Sequence, residues 1–336
     1  MIESGRHVLD VGMLGPSGAG KTSLLASMYV QYPSVTGATD LDLTPVGETA
    51  AKLTDAVSVL ESLSRSVQVR GGIEQTTTTD VHRYEIAVGR KGRKPRFRMC
   101  FTDYAGEVLR DLDSSPVGRK VRASLHDSPV VVLAVDTPAL MALDGEYHQR
   151  INLPHLMYER IKELLVEDEQ RPRLLIIVPL KCERWVATRQ GTEALMERVR
   201  EGYRPLLDYI AHADVRPRVG CVITPVQTTG SIVFSTIKET PGGGVQFHYR
   251  SRTPGAPYRP VDTDQPLRYA LRFVLGEYRR RRGFWREAVD EVFGTDLALQ
   301  EAVAAFAKAG SERDGVHVVQ DHPHLSSAAV AARGRA

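Results

Sequence analysis

The sequence predicts an α/β fold, a three-layer sandwich in which helices cover both faces of a mainly parallel sheet. Short apolar runs, each long enough for one buried strand, recur along the chain, as at PVVVLAVD (129–136) and RLLIIVPL (173–180). Segments with apolar residues at helical spacing alternate with these runs. One pair of runs is joined by a short glycine- and lysine-rich turn, which predicts a single antiparallel hairpin within the sheet.

In the first half of the chain, a strand is predicted at 8–14 and a helix at 21–32. Apolar residues near helical spacing predict an extra helix at 47–66, inserted before the next strand; they are Leu53, Val57, Leu60 and Leu63. The antiparallel hairpin consists of VHRYEIAV (81–88) and FRMCFT (97–102), which flank the turn GRKGRK.

In the second half, a helix begins near Pro154, and a helix at about 192–213 should kink or break at Pro205. RVGCVITPV (218–226) is predicted as the last strand of the sheet. Two strand-like runs within 230–264, joined by a proline- and glycine-rich turn, predict a protruding hairpin. Helical stripes return at 267–278 and 284–308, and a tail of small and polar residues from Ser311 predicts disorder.

Composition excludes several classes of protein. The formal net charge of +3 is too small to indicate a nucleic-acid partner, and the arginine run 279–282 suits a solvated helix end better than an anion-binding patch. Cys100, Cys182 and Cys221 lie in apolar segments, which predicts reduced core thiols and a cytoplasmic protein. No signal peptide and no transmembrane segment is expected, because the longest apolar run is too short to cross a bilayer.

The stretch GPSGAGKTS at 15–23 fits the phosphate-binding pattern G-x-x-x-x-G-K-[ST] between a predicted strand and a predicted helix. Small residues in such a loop let backbone N–H groups face phosphate oxygens, and the helix N-terminus favours an anion. The lysine reaches the outer phosphates and the threonine hydroxyl meets Mg²⁺. The candidate nucleotide-binding residues here are Gly15, Ser17, Gly18, Ala19, Gly20, Lys21, Thr22 and Ser23. The sequence thus predicts a P-loop NTPase.

A second carboxylate near the metal separates the classes of P-loop protein. Asp103 and Asp136 both end apolar strands, but only Asp103 is followed by a glycine, in DYAGE, whose N–H could meet a γ-phosphate. The D-x-x-G arrangement resembles the translation-factor-related (TRAFAC) class of GTPases. The resemblance implies that Asp103 holds Mg²⁺, that Gly106 senses the γ-phosphate, and that Asp136 only ends its strand. Without the resemblance, the pattern indicates that Asp103 only caps a turn at the end of a strand.

The same resemblance implies a threonine that closes over Mg²⁺ before the hairpin. GGIEQTTTTD (71–80) supplies four threonines, of which Thr77 or Thr78 is the predicted metal contact. The alternative for any one of them is the start of a β-branched strand. The position after Gly106, where many relatives carry a water-orienting glutamine, is Glu107, so Lys21 and Glu107 are the predicted catalytic residues. The negative charge of Glu107 opposes the γ-phosphate, so slow hydrolysis is expected.

The base-recognition motif departs from the pattern of the class. Where N-K-x-D is expected, the sequence reads LKCE, with Lys181 matching and Glu183 able to accept hydrogen bonds from guanine N1 and N2. Leu180 lacks the amide of asparagine. Guanine is favoured over adenine. The alternative interpretation is that this stretch is only a charged loop after a buried strand and does not bind a base. The TPVQTTG loop would approach the base from behind, with 225–228 as its contact.

Together DYAGEVLRDL, VPLKCERW and ITPVQTTG resemble the bacterial double-GTPase families of conflict and signalling systems, and are similar to YcjX-like GTPases. The resemblance covers about 7–282. The expected organisation is a GTPase-like domain at 1–282, with a helical insert at about 40–70 and a hairpin insert at about 230–264. A helical extension at 283–310 and a disordered tail at 311–336 follow.

The expected function is a switch that binds GTP or GDP with Mg²⁺, hydrolyses GTP slowly and changes its contacts with an unidentified protein partner. One alternative is a nucleotide-gated binding module that has lost hydrolysis, in view of Leu180 and Glu107. A second is a nucleotide or small-molecule kinase, because GPSGAGKTS resembles guanylate-kinase loops, although no arginine-rich lid is evident. A transport ATPase is disfavoured because an LSGGQ-like signature is lacking.

Overall fold

The computed structural model describes residues 7–37, 39–65, 68–70, 81–240, 244–253, 255–280, 296–308 and 317–325. Its strands are β1 (His7–Leu14), β2 (Leu41–Pro45), β3 (Gln68–Arg70), β4 (Val81–Arg90), β5 (Phe97–Tyr104), β6 (Val130–Asp136), β7 (Arg173–Leu180), β8 (Val219–Ile223), β9 (Ile232–Thr240), β10 (Gly244–Ser251) and β11 (His317–Gln320). Its α-helices are α1 (Lys21–Thr36), α2 (Thr49–Arg65), α3 (Pro116–Asp127), α4 (Thr137–Met141), α5 (Pro154–Glu167), α6 (Arg189–Gly202), α7 (Arg204–Ala211), α8 (Gln265–Arg280) and α9 (Leu297–Lys308). Short helical turns lie at Gly106–Arg110 and His148–Asn152.

The main sheet has the strand order β11-β8-β7-β6-β1-β5-β4-β2. Its five central strands, from β8 to β5, are parallel. The outer strands β4, β2 and β11 are antiparallel to their neighbours. All five parallel strands therefore end at the same edge of the sheet, where α/β proteins place their ligands.

Helices cover both faces of the sheet because the strand side chains alternate between the two faces. In β6, Val130, Val132 and Ala134 pack into one core with apolar residues of α1, α8 and α9. The intervening β6 residues pack with α3, α5, α6 and α7 into a second core. The predicted three-layer sandwich with a mainly parallel sheet is confirmed.

Several predicted elements are found where the sequence indicated them. The hairpin β4-β5 pairs antiparallel, from Val81 opposite Tyr104 to Val88 opposite Phe97. The insert contains α2, and α5 begins at Pro154. The long helix is divided into α6 and α7, with Pro205 in the first turn of α7, where its missing N–H costs nothing.

A second, three-stranded sheet is formed by β3, β10 and β9. Strands β9 and β10 are the predicted protruding hairpin. Strand β3 comes from the insert before β4 and pairs with β10 through Arg70 opposite His248. The two inserts of the chain thus meet in one small sheet.

Three of the described strands, β2, β3 and β11, were not predicted from the sequence. Strand β2 lies within the insert at about 40–70 and pairs with β4 from Leu41 opposite Arg90. Strand β11 lies within the tail that the sequence predicts to be disordered, and that prediction is wrong for residues 317–320. These residues pair with β8, and Gln320 Nε2 donates to the Val219 carbonyl at 2.6 Å. The free backbone groups of the β8 edge explain why four residues with a weak pattern form a strand.

The C-terminal helix α9 belongs to the main core. The Arg268 guanidinium of α8 lies 4.3 Å from the ring centroid of Phe306 and pairs with Asp264. Phe306 is fully buried. Of the helix predicted at 284–308, residues 284–295 lie outside the described residues.

The three cysteines are free and buried, as predicted for core thiols. Burial raises the pKa of Cys100 to about 11 and that of Cys221 to about 12. Across the described ranges, no helix is both long enough and apolar enough to cross a membrane.

Candidate nucleotide-binding site

The glycine-rich loop at 15–20 joins β1 to α1 at the carboxyl edge of the parallel strands. Gly15 has φ of 142°, and a Cβ there would lie 2.8 Å from the Ala134 carbonyl oxygen of β6. Gly20 caps α1 in the left-handed region, with φ of 108°. Residues with side chains are strained in this region, so the loop requires glycine. The N–H groups that begin α1 remain available for an anion.

Lys21 is buried in the first turn of α1. Its Nζ donates to the carbonyl oxygens of Gly15 at 3.0 Å and Pro16 at 3.2 Å. Burial lowers the pKa of Lys21, whereas the negative charges of Asp103 and Glu107 act to raise it. The ammonium group thus lies within the loop that its sequence motif assigns to phosphate.

The side chains of Thr22 and Asp103 are hydrogen-bonded, although the residues are 81 positions apart in the sequence. Thr22 Oγ1 donates to Asp103 Oδ2 at 2.5 Å. Asp103 is 1% exposed, and its Oδ1 has no hydrogen-bond partner among the described residues. A buried carboxylate oxygen without a partner costs free energy unless a donor or a cation reaches it. The pair is therefore suited to a hard divalent cation such as Mg²⁺.

Gly106 lies directly against the phosphate-binding loop. A Cβ at this position would come within 2.2 Å of the Ser17 nitrogen and 2.6 Å of the Pro16 carbonyl carbon. Gly106 begins the short helical turn that follows β5, and Glu107 is exposed on that turn. The backbone of the D-x-x-G segment therefore touches the loop at a distance that excludes any side chain.

Lys181 connects the end of β7 with the phosphate-binding loop. Its Nζ donates to the Gly18 carbonyl at 2.6 Å and to Asp136 Oδ2 at 2.6 Å. Burial acts to lower the pKa of Lys181, but Asp136 and Tyr249 outweigh it, so the pKa is raised. Asp136 also accepts a hydrogen bond from the Ala139 N–H and so caps α4. Asp136 thus holds Lys181 as well as ending its strand, a contact that sequence reasoning missed.

Glu183 is fixed by the loop that follows β8. Its Oε1 accepts hydrogen bonds from Thr229 N at 3.0 Å, Thr229 Oγ1 at 2.9 Å and Gly230 N at 3.4 Å. Burial raises the pKa of Glu183, and the hydrogen bonds from Thr229 act against that change. Leu180 is fully buried in the core. Within the segment 225–228, where the sequence predicts the base contact, Thr228 lines the cavity.

A cavity of about 560 Å³ connects these groups. It lies within the size range of ligand pockets, roughly 300–1,000 Å³. Besides the loop, its walls include Asp103 and Asp136 at the strand ends, and Lys181 and Glu183. Residues 104–105 and 228–229 also line the cavity. The α2 insert, the segment 150–151 and the hairpin β9-β10 add further lining residues, which are Leu60, Leu63, Arg150, Ile151, Ile232, Gly244, Val245, Gln246, Phe247 and Tyr249. No sequence motif indicated that the two inserts would line this cavity.

The structure brings together the predicted loop residues with Asp103, Gly106, Lys181 and Glu183. Ala19 is buried in the loop, and Ser17, Gly18 and Ser23 line the cavity. Thr77 and Thr78, the predicted metal-binding threonines, lie outside the described residues. Across the described part of the chain, no group of three or more His, Cys, Asp or Glu side chains could hold a metal ion.

The parallel sheet, the glycine-rich loop at its carboxyl edge and the carboxylate beside Thr22 define the P-loop NTPase class of α/β protein. The family model described as Double-GTPase 2 (DO-GTPase2) matches residues 10–218, so the chain belongs to this family. The family indicates a GTP-binding domain and, in general terms, a GTPase. No match is found among the curated proteins.

Proposed function

We propose that this chain binds GTP with Mg²⁺ in the 560 Å³ cavity, hydrolyses it slowly and uses the two nucleotide states to change its contacts with a partner protein. The observation that carries the proposal is the contact of Thr22 with Asp103, whose second carboxylate oxygen is buried without a partner among the described residues. The close approach of Gly106 to Ser17 brings the backbone of the D-x-x-G segment beside the same loop.

At the phosphate end, the loop N–H groups and Lys21 bind the phosphate oxygens. When a nucleotide binds, the lysine ammonium stops donating to the carbonyl oxygens of Gly15 and Pro16 and donates to the outer phosphates instead. Thr22 and Asp103 would hold Mg²⁺, with Thr77 or Thr78 as a further ligand, and the bound cation would neutralise charge on the β- and γ-phosphates. Each group acts by position and charge, which is the chief requirement of phosphoryl transfer.

At the base end, Glu183 accepts hydrogen bonds from guanine N1 and N2, groups that adenine does not present as a matching pair of donors. Because Thr229 donates to Oε1, Oε2 is left as the acceptor for the base. The Lys181 stem lies along the base plane while its ammonium stays on Gly18 and Asp136. Guanine specificity then depends on the Glu183 carboxylate alone, because Leu180 has no amide to contact the base.

In the hydrolysis step, the oxygen of water forms a bond to the γ-phosphorus and the bond from that phosphorus to the β–γ bridging oxygen breaks. The products are GDP, inorganic phosphate and a proton. Glu107 follows Gly106 on the exposed side of the turn and orients the water or accepts its proton. Its charge repels the γ-phosphate, which is the reason for slow turnover.

The second candidate function is a nucleotide-gated binding module without hydrolysis. Two features favour this function: the exposed carboxylate of Glu107 and the buried Leu180, which has no amide. The two functions share the binding site and differ only in whether phosphate is released.

Calorimetric titration with Mg²⁺ and a non-hydrolysable GTP analogue tests the site. Wild type should bind, Lys21→Ala should lose binding, and Asp55→Asn, an exposed carboxylate on α2, should bind as wild type does. Equal affinity of wild type and Lys21→Ala would refute the phosphate site. Equal affinity for GTP and ATP analogues in wild type would refute guanine recognition by Glu183.

Phosphate release from GTP decides between the two candidate functions. Slow release that requires Mg²⁺ and falls in Asp103→Asn, but not in Asp55→Asn, supports the GTPase. Release at the background rate at every protein concentration supports the binding module. Transfer of phosphate to an added acceptor would instead indicate a kinase.

A further inference from the structure

The hairpin β9-β10 is attached to the loop that carries Lys181 and Glu183. Trp185 of this loop stacks on Phe234 of β9, with ring centroids 5.6 Å apart and planes 18° apart. Arg252, just after β10, donates from Nη2 to the Glu183 carbonyl at 2.7 Å. A protruding hairpin is therefore anchored at the base-recognition end of the cavity.

Tyr249 lies at the centre of this small sheet. It occupies the middle strand β10, opposite Val69 of β3 on one side and Phe234 of β9 on the other. The pairing steps from His248 opposite Thr236 to Tyr249 opposite Phe234, so β9 carries one extra residue here. Bulges of this kind redirect side chains and occur next to binding sites.

The aromatic ring of Tyr249 faces the groups assigned to the base. Its centroid lies 5.9 Å from Lys181 Nζ, and Tyr249 lines the same cavity as Lys181 and Glu183. Phe234 meets the ring edge to face, at a centroid distance of 6.1 Å and an interplanar angle of 77°, and so supports it. The ring is thus held by its neighbours in the sheet and remains only half-buried.

We infer that Tyr249 stacks on the purine base, so that the hairpin β9-β10 clamps the base against the Lys181 stem. This inference rests on the proposed function. A purine is a flat π-system, and an aromatic side chain in a sheet contributes stacking on its face without needing a particular base. Glu183 then selects guanine through its edge, whereas Tyr249 contributes affinity to any purine nucleotide.

Substitutions at 249, with a matched change at His248, test the clamp. His248 is the preceding residue of β10 and does not line the cavity, so His248→Leu controls for loss of an aromatic side chain from the hairpin. The probes are a GTP analogue with Mg²⁺ and inorganic triphosphate with Mg²⁺, which has no base. Tyr249→Leu should weaken GTP-analogue binding about tenfold or more, as expected for the loss of one base–aromatic stack.

The same experiment should show GTP-analogue affinity close to wild type in Tyr249→Phe and His248→Leu, and unchanged triphosphate affinity in all variants. Wild-type GTP affinity in Tyr249→Leu would overturn the clamp while leaving the proposed function intact. Equal loss for both probes would also overturn it, by showing a structural role. If wild type binds no guanine nucleotide, the proposed function and the clamp are both wrong.

A direct optical readout does not depend on Tyr249→Leu folding. Tyr249→Trp places an indole where the base should stack, and guanine quenches the emission of a stacked indole. The chain has only two other tryptophans, so the added emission is separable by comparison with wild type. Quenching by the GTP analogue but not by triphosphate supports the clamp, whereas emission unaffected by the GTP analogue contradicts it.

Discussion

At the residue scale, Gly106 has less room for a side chain than Gly15 or Gly20 of the phosphate-binding loop. An added Cβ would approach the Ser17 nitrogen to 2.2 Å and the Pro16 carbonyl carbon to 2.6 Å. Both are backbone atoms, which cannot turn away as a long side chain can. The D-x-x-G segment and the phosphate-binding loop must therefore move apart if position 106 gains a single carbon.

Gly106→Ala is expected to abolish or strongly weaken binding of a GTP analogue, and overpacking should destabilise the fold by about 1–3 kcal/mol. Calorimetric titration and urea unfolding measure the two effects. Gly92→Ala is the matched control: φ is 69° and no atom lies within 4 Å of its added Cβ. It should cost about 1–2 kcal/mol of backbone strain and leave affinity unchanged. Normal binding by Gly106→Ala would contradict the close approach.

Thr229 positions Glu183 through its hydroxyl and its N–H. Thr229→Val removes the hydroxyl, which donates to Glu183 and accepts from the Ile232 N–H. A hydrogen bond to a charged group is worth about 1.5–3 kcal/mol. The preference for GTP over ATP analogues should fall about tenfold, while triphosphate affinity is retained. Thr224→Val removes a hydroxyl of the same loop that has no hydrogen-bond partner among the described residues and does not line the cavity, and should keep the preference. An unchanged preference in Thr229→Val would show that Thr229 does not position Glu183.

At the scale of elements, the short turn Gly106–Arg110 connects the phosphate site to the surface. Arg160 of α5 donates from Nε to the Leu109 carbonyl at 2.9 Å, and Arg110 is exposed at the end of the turn. If Gly106 binds a γ-phosphate, the turn should be more ordered with triphosphate than with diphosphate.

Trypsin cleavage at Arg110 is therefore expected to be slow with a GTP analogue and Mg²⁺, and fast with GDP. Arg93, in the exposed turn between β4 and β5, lies far from the loop in the sheet and serves as the internal control. Mass spectrometry of timed digests locates the cuts. Equal rates at Arg110 in the two states would contradict a γ-phosphate switch, and protection at both sites would indicate general stabilisation by ligand.

At the scale of the whole molecule, the nucleotide site depends on segments from both ends of the chain. Helices α8 and α9 cover the same face of the sheet as α1, the helix that begins at Lys21. The C-terminal helix is thus part of the core that supports the phosphate-binding loop, beyond the residues matched by the family model.

Phe306→Ala should destabilise the fold by about 3–5 kcal/mol, because it removes a fully buried ring and leaves Arg268 without its aromatic partner. Leu297→Ala on the same helix is the control, since Leu297 is 69% exposed and should change stability by less than about 0.5 kcal/mol. Urea unfolding gives both values. A small effect of Phe306→Ala would mean that α9 is not part of the cooperative core.

Local patterns in the sequence identified most of the sheet and one end of the candidate site. The apolar runs that form β6 and β7 are buried along their whole length, so their composition alone identifies them. The phosphate-binding loop is contiguous, and its glycines reflect backbone geometry at consecutive positions. Asp103 was found through the glycine three residues later, a spacing that is also local. The pairing of the hairpin β4-β5 followed from its short turn.

Tertiary structure alone decided the contacts between distant segments. Strand β11 forms because β8 presents an unpaired edge, and nothing in residues 317–320 encodes that edge. The pairings of Asp136 with Lys181 and of Glu183 with Thr229 join residues 45 and 46 positions apart. Tyr249 reaches the cavity because β10 pairs with both β3 and β9. Such contacts depend on the packing of whole elements, so the sequence determined the glycine-rich loop by itself, and the fold decided what lines the rest of the cavity.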